Sequence, residues 1–325
     1  MKNVLLTTSA LVCFAGFAYA EVSLSGSAEM GITFDESDPD DVEFNNDIDV
    51  EFTLTGATDN GIAFGANIDL DQADGGATIE ESNDVFISGT FGTLTLGDTD
   101  GAYDRALSNI AGAGLEDEAD LGDGTSGLDG AADGEVLRYD YSFADFTFSA
   151  SLELEEGLTE EVYAFGLAYS GELAGFEIAA GAGFQMTQTD GGILGDGDHT
   201  AIGGSVVVGF AGFDLTVVYQ NIDRPDDIAV AVTEDLVSDN NVGVSLEYSI
   251  GALGAGVGYE FSEISTAVPG ELASRNIVQG FVTYDLTGGA ELVAAIGYED
   301  VEGGVAGPGT DESNITAGFG LGLAF

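Results

Sequence analysis

The strongest constraint on this chain is an alternation of apolar and polar side chains that recurs from Val22 to the last residue. Side chains of a β-strand point to opposite faces with a period of two, so each alternating stretch predicts a strand with one apolar and one polar surface. In the first stretch, the apolar positions include Val22, Leu24, Met30, Ile32 and Phe34.

The apolar positions of these stretches carry no charge, although 20% of all residues are charged. A Lys or Arg side chain at the middle of a bilayer costs ~2–4 kcal/mol, and an acidic side chain somewhat less. No stretch after residue 20 contains the ~18 consecutive apolar residues of a transmembrane helix. The pattern therefore predicts an all-β protein, a transmembrane antiparallel β-barrel of about 16 strands. The alternative is a soluble β-structure, which has no reason to exclude charge from one face of each strand.

The first twenty residues differ from the rest. They contain Lys2, an apolar core from Val4 to Phe17, and the small-residue site Ala18-Tyr19-Ala20. These features predict a secretory signal peptide over residues 1–20, followed by a barrel domain over residues 21–325.

Charge excludes several classes of function. The chain has 59 acidic residues, its only lysine lies in the predicted signal peptide, and four arginines remain after it. A surface this acidic cannot release counterions from phosphates, so nucleic-acid binding is excluded. Strongly acidic chains are often disordered, but 44% hydrophobic residues and a mean hydropathy of +0.18 argue against disorder here.

The longest segment without alternation runs from Asp98 to Gly134, between the fifth and sixth predicted strands. A structureless insert of this length is unusual in a compact domain and is more often functional than accidental. We expect residues 98–134 to fold into the barrel lumen and constrict the pore. The alternative is a disordered acidic loop outside the barrel.

Several stretches of the chain resemble the general porins of Gram-negative outer membranes, particularly the alphaproteobacterial type. The resemblance is clearest in FTLTGATDNGIAFGANI (52–68), FISGTFGTLTLGD (86–98), GAYDRAL (101–107) and the terminal Phe325. It implies a sixteen-stranded outer-membrane barrel, a homotrimer, and a third loop that narrows a water-filled pore. A last strand ending at Phe325 also resembles the signal that the barrel-assembly machinery reads.

The arginines depart from the family pattern, in which a basic wall faces an acidic loop. Only Arg138 is placed on the predicted wall, whereas Arg105 lies in the loop, and Arg224 and Arg275 are expected in outer loops or strand mouths. Carboxylates at a constriction concentrate cations and repel anions. We therefore expect a cation-preferring constriction formed by Asp47, Asp49, Glu51, Asp98, Asp100, Asp104, Arg105, Glu116, Asp117, Asp120 and Arg138.

No cofactor is required by this hypothesis, but Ca²⁺ is a candidate ion for the acidic loops or lumen because it prefers oxygen ligands. Candidate clusters lie at residues 38–41, 116–123 and 196–198. The sequence argues against an enzyme, since the only histidine, His199, is expected at the surface.

The expected function is passive diffusion of ions and small hydrophilic solutes across the outer membrane. The expected partners are other copies in a homotrimer, membrane lipid with lipopolysaccharide, and the assembly machinery. The alternative is a plugged or adhesin-like barrel without general pore activity.

Overall fold

The structure is a computed structural model that describes residues 21–37, 42–72, 79–115, 127–128, 135–154, 161–190, 196–223, 238–265, 272–302 and 312–325. Sixteen strands form the fold: β1 Glu21–Asp35, β2 Val42–Ala57, β3 Ala63–Gln72, β4 Ile79–Gly89, β5 Gly92–Asp98, β6 Glu135–Phe143, β7 Phe146–Glu153, β8 Val162–Leu173, β9 Phe176–Asp190, β10 Asp196–Phe210, β11 Phe213–Asp223, β12 Ser238–Ile250, β13 Leu253–Ser265, β14 Leu272–Thr287, β15 Ala290–Glu302 and β16 Glu312–Ala324.

Each strand pairs antiparallel with the next, and β1 pairs with β16 to close the barrel. The closing register runs from Ser27 opposite Ala324 to Asp35 opposite Thr316. The Phe325 amide then donates to the Gly26 carbonyl at 2.9 Å. The predicted sixteen-stranded barrel is therefore confirmed, and the predicted signal peptide at residues 1–20 lies outside the described residues.

The sequence alternation becomes two chemically different faces. Across β1 and β2, Val22 lies opposite Leu54 and Leu24 opposite Phe52, while Ser27 lies opposite Asp49. Many large apolar side chains on the face of Val22 and Leu24 are exposed; for example, Leu24 is 66% exposed and Ile202 is 48% exposed. We call this the apolar face and the opposite one the polar face. An exposed apolar surface of this extent marks a membrane contact in a protein whose strands also have a polar face.

The two ends of the barrel have different connections. At one end the connections are short, as at residues 90–91, 144–145, 174–175, 211–212, 251–252 and 288–289. Ala211 and Gly212 both have positive φ, at 54° and 86°, as a two-residue hairpin turn requires. Aromatic pairs lie on the apolar face near these turns, including Phe213 and Tyr248 with ring centroids 4.3 Å apart. Aromatic girdles of this kind mark the membrane interface of a transmembrane barrel.

Helical structure is minimal in the described ranges, where it consists of one 3₁₀ turn at Asp104–Ala106. Within those ranges, no helix has the length and apolar character needed to cross a bilayer.

Neighbouring valines on β10 test the assignment of the two faces. Val206 is exposed on the apolar face, and Val207 is half-buried on the polar face. We expect Val206→Lys to destabilise the folded barrel in lipid vesicles, since an apolar-face lysine costs up to ~2–4 kcal/mol at the bilayer midplane. Val207→Lys is the matched control and should destabilise the folded barrel less than Val206→Lys does. Urea unfolding followed by tyrosine fluorescence measures both, and equal losses would contradict the assignment.

Candidate functional site

The segment that follows β5 lies against the polar face of the barrel. We call residues 99–115 the docked segment, and residues 127–128 of the same connection are also described. Its hydrogen bonds reach side chains on strands as far apart as β7 and β14. The docked segment therefore runs along much of the wall.

Arg138 on β6 holds the beginning of the docked segment. Its Nε is 3.0 Å from Asp140 Oδ2, and its Nη1 donates to Thr99 Oγ1 at 3.1 Å and to the Asp100 carbonyl oxygen. Ser149 Oγ donates to the other Asp140 oxygen at 2.6 Å. Arg138 is only 8% exposed, so its charge is compensated within this network. Arg138 therefore anchors the first residues of the docked segment to β6.

Polar side chains of the wall then bind the docked segment through its backbone. An irregular chain needs such partners, because buried backbone N–H groups without an acceptor are costly. Three serine hydroxyls accept at 2.8 Å: Ser151 on β7 from Ala102 N, Ser205 on β10 from Ser108 N, and Ser245 on β12 from Ala111 N. Gln279 Oε1 also accepts from the backbone, from Ala113 N at 3.1 Å. Two further glutamines accept from the Tyr103 hydroxyl and from Leu128, later in the same connection: Gln220 Oε1 from Tyr103 Oη at 3.0 Å and Gln185 Oε1 from Leu128 N at 2.6 Å.

Tyr103 is the largest side chain in this interface and is fully buried. It lies over Gly183 and Gly203, which are directly paired on β9 and β10. A Cβ added at Gly183 would lie 2.7 Å from the tyrosine ring, and one at Gly203 would overlap its hydroxyl. Glycine at both positions therefore makes the space that the ring occupies. Tyr103 also belongs to an apolar cluster of Ala102, Leu128, Val162, Ala164, Ala201 and Ile222.

A group of carboxylates lies on the polar face of β1 to β4. Asp47, Asp49 and Glu51 on β2 are opposite Glu29, Ser27 and Ser25 of β1, respectively. Asp49 accepts from Ser27 Oγ at 2.6 Å, and Glu51 accepts from Ser25 Oγ at 3.3 Å and Thr53 Oγ1 at 3.2 Å. On β3 and β4, Asn67 donates to Asp84 at 2.9 Å. We call Asp47, Asp49, Glu51 and Asp84, with Glu29 and Asp69, the acidic wall.

The other sequence-predicted site residues are distributed differently. Asp100 is exposed, while Asp104 and Arg105 are half-buried in the 3₁₀ turn. Asp98 is opposite Glu135 and follows Leu94 and Leu96 at intervals of two residues. It therefore lies on the same side of β5 as these leucines, the apolar face. Glu116, Asp117 and Asp120 lie outside the described residues.

One of two basic groups differs from the sequence expectation. Arg275, which was expected in an outer loop or strand mouth, lies near the start of β14, on the face of Ile277 and Gln279. Its Nε is 2.5 Å from Glu299 Oε1 on β15. His199, which was expected at the surface, is fully buried on β10 because it shares the polar face with Ala201. The regular spacing of His199 from Ala201 was the sequence signal that could have placed it.

The described residues contain no group of three or more His, Cys, Asp or Glu side chains arranged to hold a metal ion. Two of the calcium candidates, residues 38–41 and 116–123, fall outside the described part of the chain. In the third, Asp198 is an exposed residue of β10.

Comparison with known proteins gives a consistent result. A family model described as "Gram-negative porin" matches residues 7–304. A porin of Rhodobacter capsulatus is 28% identical over 298 residues, covering 86% of this chain and 95% of the relative. The resemblance inferred from the sequence is thereby confirmed.

Solved structures agree with the fold. A porin refined at 1.8 Å resolution superposes with a TM-score of 0.68 at 23% identity, covering 94% of this chain and 100% of that one. A loop-deletion mutant of OmpT from Vibrio cholerae gives a TM-score of 0.69 at 16% identity, covering 94% of this chain and 99% of that one.

Arg138 and Arg275 form a matched pair for mutation. Arg138→Ala leaves Asp140 without its buried cationic partner, a change that typically costs ~3–5 kcal/mol. Arg275→Ala breaks a pair whose side chains are 28% and 26% exposed, so a loss of about 0–1 kcal/mol is expected. The urea midpoint of unfolding in detergent micelles measures both, and limited proteolysis reports whether the docked segment loosens. Similar midpoints for the two variants would contradict the anchoring role of Arg138.

Proposed function

The chain belongs to the Gram-negative porin family of outer-membrane channel proteins, and we propose that it forms a cation-preferring pore for passive diffusion of ions and small hydrophilic solutes. The observation that carries this proposal is the division of the polar face. The docked segment hydrogen-bonds to the wall from β6 to β14 and reaches β16 and β1 only with its last residue, Leu115, whereas most of the acidic wall lies on β2 to β4.

In this proposal the polar face lines the lumen. The apolar face carries exposed large side chains around the whole barrel, and such a surface is stable only in contact with lipid or another subunit. The docked segment contacts the polar face, where its partners are Ser151, Ser205, Ser245 and Gln279. It therefore narrows the lumen from one side, and solutes pass between it and the acidic wall.

The cation preference follows from how the charges are paired. Arg138 and Arg275 are each engaged by a carboxylate, Asp140 and Glu299, respectively. By contrast, Asp49 and Glu51 accept hydrogen bonds from the neutral hydroxyl groups of Ser25, Ser27 and Thr53. Carboxylates with neutral partners keep a net negative charge in the pore, which attracts cations and repels anions.

The apolar cluster around Tyr103 favours one alternative, a plugged or adhesin-like barrel without general pore activity. The cluster fills space beside β8 to β11, on the side where the docked segment lies. The acidic wall argues for a water-filled remainder, because a group of carboxylates is stable only when it is hydrated or paired with cations. Conductance separates the two hypotheses, since a plugged barrel passes no ions.

Calcium enters the proposal as a counterion of the acidic wall, and no cofactor is required. A hard divalent cation that binds carboxylate oxygens should screen the negative charge of the pore. Cation preference should therefore decrease when calcium is added.

The proposed biological unit is a homotrimer in the outer membrane, embedded in lipid and lipopolysaccharide, after removal of residues 1–20. Insertion would use the assembly machinery through the C-terminal strand that ends at Phe325. We expect a band of trimer size in SDS without boiling, which becomes monomer-sized after boiling. A monomer-sized band in the unheated sample would contradict the trimer.

The acidic wall is tested by neutralising it. We expect the variant Asp47→Asn/Asp49→Asn/Glu51→Gln to conduct with a clearly smaller cation preference than the natural chain, because the wall loses three negative charges. The reversal potential in a planar bilayer across a KCl gradient measures this preference.

The control is Asp98→Asn/Glu135→Gln, which removes two carboxylates in register with the apolar face. Its reversal potential should change much less. If the control changes the potential as much as the wall variant, Asp98 faces the pore as the sequence predicted. An anion preference in the natural chain would overturn the proposed cation selectivity.

A further inference from the structure

Leu115 is the last residue of the docked segment and is 2% exposed. It lies against Gly31 on β1 and Gly320 on β16, which are directly opposite each other in the strand register. A Cβ added at Gly31 would overlap Leu115 Cδ1, and one added at Gly320 would lie 2.7 Å from it. The two glycines therefore form a socket that a side chain on either strand would close.

This socket lies at the seam that closes the barrel. The other strand pairs join neighbours in the chain, whereas β1 and β16 come from its opposite ends. The socket exists only when Gly31 and Gly320 are paired, so Leu115 can occupy it only after the barrel has closed. The far end of the docked segment thus depends on the seam.

The contacts before Leu115 show what the socket adds. Ile110 packs with Val218 and Ile277, and Ala113 N donates to Gln279 on β14. Leu115 then reaches β16 and β1, so the segment continues past β15. Because an apolar side chain avoids water, a leucine on a largely polar face is held where its burial is complete.

We infer that Leu115 in the Gly31–Gly320 socket is a latch that positions the far end of the docked segment and thereby sets the width of the pore. This inference rests on the proposed function, because it assumes that the segment narrows the lumen. Leu115 is a positioning residue in this account. Removing its contact should release the end of the segment without opening the strand ladder.

Single-channel recording tests the latch. Truncation of a buried leucine to alanine should raise the fraction of time with an undocked segment by about 30-fold or more. We expect Leu115→Ala to show larger open-channel current noise and additional conductance levels, with an unchanged thermal midpoint of the barrel. Leu115→Met, which keeps the volume, should resemble the natural chain.

Gly320→Ala and Gly322→Ala form a second matched pair on the same strand and face. A Cβ at Gly322 meets nothing within 4 Å, so this variant should behave as the natural chain. Gly320→Ala should displace Leu115 and increase the current noise. The alanine would also meet the Met30 carbonyl oxygen, so if this variant does not fold, the Leu115 variants decide.

Cysteine labelling tests the latch without relying on conductance. The chain has no cysteine after residue 20, and Ala113→Cys, two residues before Leu115, should react with a water-soluble maleimide at least about tenfold faster when Leu115→Ala is also present than with Leu115 intact. Equal labelling rates, or currents of Leu115→Ala identical to those of the natural chain, would overturn the latch. A natural chain that conducts nothing would overturn the proposed function, and faster labelling of Ala113→Cys in the presence of Leu115→Ala would then still support the latch.

Discussion

Satisfaction of the backbone hydrogen bonds is the constraint on which this structure depends. In lipid an open strand edge costs several kcal/mol for each unpaired group, so a membrane-spanning sheet must close on itself. Here the closing pair is formed by β1 and β16, from Ser27 opposite Ala324 to Asp35 opposite Thr316. The two ends of the chain therefore complete the barrel together, and every interior contact is built on that closed wall.

The same constraint governs the docked segment, which has almost no regular secondary structure of its own. Its backbone N–H groups find acceptors on wall side chains such as Ser151, Ser205 and Ser245. Glycines on the wall let the segment approach closely, as Gly183 and Gly203 do beneath Tyr103. Small and polar residues on this face thus hold the segment in place where it is docked.

Electrostatics then depends on the pairing of charges as well as on their number. Arg138 is used to hold the root of the docked segment, and Arg275 is bound to Glu299. Each of these arginines thus has a carboxylate partner of its own, Asp140 or Glu299. The negative potential that we propose for the pore is a consequence of this arrangement in an already acidic chain.

The alternation of side chains was enough to predict the barrel, its two faces, the polar-face position of Asp47, Asp49 and Glu51, and the long insertion after the fifth strand. The apolar-face position of Asp98 could also have been inferred from the sequence, because Asp98 is two residues from Leu96. Periodicity is a local property, so it determines which face a residue occupies but not what it meets there. The partners of Arg138, Arg275 and Leu115 come from distant parts of the chain, and only closure of the barrel brings them into contact.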